Sequence, residues 1–63
     1  MPGEIIFEFH AVGQAVKVSA VDADSGLEVS IVGPRTASQR ELEATAAAKL
    51  RRMMEKQGAR RGR

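Results

Sequence analysis

Apolar and polar residues alternate one by one over three stretches of the chain, and a helical spacing then takes over. In Glu4 to Val12, EIIFEFHAV, one face holds Ile5, Phe7, Phe9 and Ala11 and the other holds Ile6, Glu8, His10 and Val12. Val16, Val18 and Ala20 alternate with Lys17, Ser19 and Val21; Leu27, Val29 and Ile31 alternate with Glu28, Ser30 and Val32. A period of two is what a half-buried strand requires, and neither of the later runs fits helical spacing.

The segments between these runs have turn chemistry. Gly13-Gln14 is a two-residue connection with glycine at the first central position, which suits a type II′ hairpin that follows the twist of its strands. Asp22-Ala23-Asp24-Ser25-Gly26 concentrates residues that hydrogen-bond their own backbone, with Gly26 as the left-handed residue. The two turns predict registers that can be checked against each other. The first sets Phe9 opposite Val18, Phe7 opposite Ala20 and Ala11 opposite Val16; the second sets Ala20 opposite Val29 and Val18 opposite Ile31. Both put the apolar sets on one face, as a register must when that face is buried. The agreement predicts a three-stranded antiparallel meander in the order 1-2-3.

Gly33-Pro34 closes the third strand. Ser38-Gln39-Arg40-Glu41 has the S-x-x-E form of a capping box. A helix is therefore expected from Gln39 through Gln57, with Gly58 taking the left-handed position after its end. At 100° per residue, Leu42, Ala46, Leu50 and Met53 form one stripe that Ala47 and Met54 widen. The stripe is expected to lie across Phe7, Phe9, Val18, Val29 and Ile31. The predicted fold class is α+β, a three-stranded β-meander packed on one C-terminal helix (β-β-β-α). It forms a single domain over residues 1–57, followed by a disordered basic tail, GARRGR, over residues 58–63.

Length changes the picture because 63 residues is near the lower limit at which one core stabilises a chain without staples. Self-association is an expected source of the remaining stability. One helix covers only one face of such a sheet, so the other would expose Ile6, Val12, Val21 and Val32 among polar neighbours. That face, or the edges of the outer strands, is the candidate surface for a homodimer or a protein partner. β-branched residues also favour strands wherever they sit, so surface valine alone would account for the same positions. The chain has no cysteine, which excludes a disulfide framework and a thiolate metal site and is compatible with a reducing compartment. No apolar run approaches a membrane span, and the first residues lack the basic start and apolar stretch of a signal peptide. A cytoplasmic protein without membrane attachment is expected.

Charge is unevenly divided. Residues 1–33 carry five acidic residues against Lys17, a net −4, whereas residues 34–63 carry nine basic residues against three acidic, a net +6. Lys49, Arg52 and Lys56 fall on one helix flank, and Arg60, Arg61 and Arg63 continue the same sign. Such a patch could meet the phosphate backbone of RNA or DNA. Basic residues late in a helix also complement its dipole, and a basic tail aids solubility, which is the simpler account. Both aromatic residues, Phe7 and Phe9, are assigned to the core face, which argues against a base-stacking platform.

Candidate chemistry does not assemble. Asp22, Asp24 and Gly26 echo a calcium loop, but its third acidic position is Gly26 and its twelfth is Gly33. His10 is the only histidine and has no second metal ligand implied by spacing. Ser19, Ser30 and Ser38 have no placed general base, and no glycine-rich phosphate loop is present. Lys17, opposite His10 and near Glu8, fits a cross-strand polar cluster better than an acid–base pair. No cofactor is expected, and the chain reads as a non-enzyme.

Phe7-Glu8-Phe9, Gly13, Val16 to Ala20, Asp22, Ser25-Gly26, Glu28 to Gly33 and Lys49-Leu50 together follow the pattern FEF…G…VKVSA.D..TG.EVSIVG, then a helix with a Lys-Leu pair. In this the chain resembles a family of small alphaproteobacterial proteins, a domain of unknown function, over about residues 4–54. Ser25 stands where the pattern tends to have threonine, and the GARRGR tail lies outside it. Sequences of this kind sometimes carry a label of serine hydroxymethyltransferase. The chain is far too short for a pyridoxal-phosphate fold, and none of its lysines has the buried partners of a Schiff-base lysine. The resemblance supplies a family and no activity.

Overall fold

The computed structural model describes residues 4–61, and the backbone alone for 58–61. Strands β1 (Ile5–Val12), β2 (Ala15–Asp22) and β3 (Glu28–Pro34) precede a single helix, α1 (Gln39–Arg61). The strands form one antiparallel sheet in the order β1-β2-β3. Phe9 lies opposite Val18 and Phe7 opposite Ala20, while Val18 meets Ile31 and Ala20 meets Val29. Both expected registers hold.

The turns show why. Gly13 has φ 59° and Gly26 φ 79°, and no other described residue with a side chain has positive φ. Positive φ at the first central residue alone is the type II′ pattern, and only glycine adopts it without cost. In the second turn the Asp22 carboxylate accepts from the Ser25 amide at 2.9 Å, and the Gly26 amide donates to the Asp22 carbonyl at 2.8 Å. Asp22 is buried by this bonding, so its carboxylate serves the hairpin.

Ser38 and Glu41 form the full capping box: the Glu41 amide donates to Ser38 Oγ at 3.1 Å, and the Ser38 amide to Glu41 Oε1 at 3.4 Å. Two orphan amides of the first turn are thereby satisfied. Ala37, just before the cap, packs against the core that contains Leu42, in the positions of a hydrophobic staple. The core joins Val18, Ala20 and Val29 of the sheet to Leu42, Ala46 and Leu50 of α1.

Three expectations are corrected. The helix does not stop at Gly58; its backbone continues to Arg61. A helix-interior glycine costs only about 1 kcal/mol relative to alanine, which good helix formers on both sides overcome. The part of the expected disordered tail that is described is therefore helical, and residues 62–63 lie outside the described residues. Second, Phe9 is not a core residue but 40% exposed. Helix α1 packs on β2 and β3, so β1 has cover on one flank only, and Phe7 and Phe9 sit at the margin of the core. Third, Met53 and Met54 are exposed, as is every residue from Arg51 to Gln57, because the helix outruns the sheet.

The overrun follows from direction and pitch. A Cβ on Gly33 would come within 2.5 Å of Leu42 Cδ2, and Lys49 Nζ donates to the Ser30 carbonyl at 2.7 Å. Helix α1 thus runs antiparallel to β3, and about 10 Å of helix between residues 42 and 49 matches about 10 Å of strand between 33 and 30. From Ser30 the strand has two residues left, so the helix passes the last row of the sheet near Met53.

Candidate interaction surface

The side of the sheet away from α1 is a ruled surface whose rows follow from the pairing. Across β1, β2 and β3 they read Ile6, Val21, Glu28; then Glu8, Ser19, Ser30; then His10, Lys17, Val32; then Val12, Ala15, Pro34. Side chains in each row stand about 5 Å apart, close enough to act as units. The two end rows are mainly apolar and the two middle rows mainly polar, with the carboxylate of Glu8 in one and the ammonium of Lys17 in the next. No described element covers this face. Ile6 is 48%, Val12 61% and Val32 72% exposed, while Val21 on the central strand is half-buried. All four residues expected on this surface are on it.

Ser19 lies on the open face but is buried there. It sits in the middle of the central strand between Glu8 and Ser30, and its Oγ lies 3.3 Å from Ser30 Oγ. Cross-strand hydroxyl pairs stabilise neighbouring strands, which is a structural use of both groups. Among the described residues no group of three or more histidine, cysteine or acidic side chains converges on one point.

The basic residues separate into different roles. Lys49, Arg52 and Lys56 share one flank of α1 as expected and are exposed, but Lys49 is engaged with the carbonyl of Ser30. That contact blunts the free edge of β3 with a lysine, a common protection against strand addition. Arg35 is tied down as well: its amide donates to the Gln14 carbonyl at 3.0 Å and its Nη1 to the Gly13 carbonyl at 3.1 Å. Sequence reasoning missed both anchors, because a long cation meeting a carbonyl far along the chain has no local signature. The side chains of Arg60 and Arg61, and all of Arg63, lie outside the described residues. Helix α1 leaves the sheet at the end that holds Glu4, Asp24 and Glu28, all exposed. Exposed carboxylates therefore sit at the same pole as Arg52 and Lys56.

The described residues thus define an α+β module: one face of a three-stranded meander is sealed by a helix and the other is open. The chain belongs to the family described as Domain of unknown function (DUF6898), whose model matches residues 2–57. No curated protein and no solved structure showed a match to it. Among the described residues no helix is long and apolar enough to cross a membrane.

Proposed function

We propose that this chain is a small non-enzymatic module that binds a second copy or another protein through the open face of its sheet. The observation that carries the reading is the exposure of Ile6, Val12 and Val32 on a face that no described element covers. Large β-branched side chains left in water forgo about 25 cal/mol for each Å² that a partner could bury, and apolar patches rimmed by polar groups mark docking surfaces. The edges are the weaker half of the original expectation, since Lys49 already occupies a carbonyl on β3. A cytoplasmic setting goes with this reading, supported by the absence of cysteine.

The test compares the tagged chain with Val12→Asp and Val32→Asp variants, by light scattering on purified protein and by capture from lysate with nuclease treatment. The reading expects an association, with itself or with one defined protein, that both substitutions abolish while helicity is retained. An association indifferent to both substitutions, or none at all, refutes it.

A second reading rests on Arg52 and Lys56, exposed on one helix flank, as a contact to nucleic-acid phosphates. It predicts salt-sensitive binding that Arg52→Ala and Lys56→Ala weaken; the nearby carboxylates argue against it.

A further inference from the structure

We infer that the open face is built to take a second copy of itself, face to face, about a twofold axis that lies between the sheets and crosses the strands at right angles. This rests on the open-face reading and specifies its partner. Such an axis reverses the order of the rows and keeps each strand opposite its own copy. The first row then meets the partner's fourth and the second meets its third. Ile6 comes to face Val12, apolar on apolar. Glu8 comes to face His10, with Lys17 diagonal to it, so acid meets base. Because the axis is twofold, each of these contacts occurs twice, which is the self-complementarity an isologous interface requires.

The other in-plane axis, parallel to the strands, fails the same check. It would lay β1 on β3 row by row, setting Ile6 on Glu28 and His10 on Val32, and it would place Lys17 against its own copy. Like charges directly opposed are destabilising. Of the two, the crossing axis sets Ile6 on Val12 and Val21 on Ala15, apolar on apolar, and Glu8 on His10, leaving unmatched only the pairs along β3, Ser30 on Val32 and Glu28 on Pro34. It also leaves the two sets of strands antiparallel, within the range of aligned sheet packing.

The face measures roughly 23 by 14 Å from strand rise and spacing, which is at or below the low end of specific interfaces. The dimer is therefore expected to be concentration-dependent.

The experiment uses the full chain in four forms: wild type, Glu8→Lys, Lys17→Glu and the double variant. Sedimentation equilibrium from about 10 μM to about 1 mM covers the affinity expected for so small an interface. Wild type should dimerise. Each single variant opposes like charges and should weaken dimerisation at least about tenfold. An equimolar mixture of the two single variants should recover a heterodimer, because residue 8 of each then faces the opposite charge at residue 17 of the other. The double variant should dimerise again. If Glu8→Lys fails to fold, Ile6→Lys mixed with Val12→Glu provides the same rescue on the outer rows.

A wild type that stays monomeric throughout, or a mixture with no rescue, overturns the inference. In the first case a different protein captured through Val12 and Val32 would leave the open-face reading standing. Dimerisation indifferent to both Val12→Asp and Val32→Asp overturns both.

Discussion

Leu50 and Met53 are three residues apart on the same helical stripe, and by pattern alone both are core. The structure separates them: Leu50 is fully buried against Val18, Ala20 and Val29, whereas Met53 is 36% exposed at the point where α1 passes the last row of the sheet. Leu50→Ala should leave a cavity that its neighbours close only partly, at a cost of about 2–5 kcal/mol. A chain of this size has a total stability of only about 3–9 kcal/mol, so this one side chain carries much of the margin. Met53→Ala opens onto solvent, leaves no cavity and should cost about 1 kcal/mol. The assay is urea denaturation followed by helical circular dichroism. With a slope of about 1 kcal/mol/M, Leu50→Ala should lower the midpoint by at least about 2 M or unfold the chain in water, while Met53→Ala should lower it by about 1 M. If Leu50→Ala is too unstable to measure, Leu50→Val should still fall by about 1 kcal/mol. Equal effects at the two sites would show that α1 does not leave the sheet where the backbone puts it.

Two further outcomes follow from local geometry. Ser38→Ala removes the oxygen that accepts from the Glu41 amide and should cost about 1 kcal/mol in the same denaturation assay, whereas Ser38→Asp, which keeps an acceptor at the cap, should cost less. Gly33→Ala directs a methyl group into Leu42 Cδ2 and should cost about 1–3 kcal/mol through overpacking. Combining it with Leu42→Val should recover part of that loss, which a thermal melt of the double variant would detect.

The meander was legible because each of its determinants is local. Gly13 and Gly26 fix turn geometry, turn geometry fixes register, and alternation then assigns every side chain to a face, so Ile6, Val12, Val21 and Val32 could be placed on the open side from the sequence. Ser38 and Glu41 are equally local. The lateral position of the helix was not legible. A stripe centred on Leu42, Ala46 and Leu50 fits over any pair of strands, and nothing near Phe9 states that β1 will be the strand left at the margin. The helix end was misjudged for a related reason: glycine at 58 is compatible both with a stop and with passage, and the good helix formers beyond it favour passage. Lys49 and Arg35 were counted as surface charge because the carbonyls they hold, at Ser30, Gly13 and Gln14, become their neighbours only after the chain has folded.

The projecting end of α1 makes the molecule long for its mass, with principal extents of 43 × 19 × 16 Å and a radius of gyration of 12.7 Å, against roughly 10.6 Å for a compact chain of this length. A rod-like particle travels through a porous matrix as though it were heavier. A single copy should therefore elute early on a sizing column and imitate a pair. Stoichiometry for this chain must come from a measurement of mass, such as scattering or sedimentation, since retention volume alone confuses elongation with assembly.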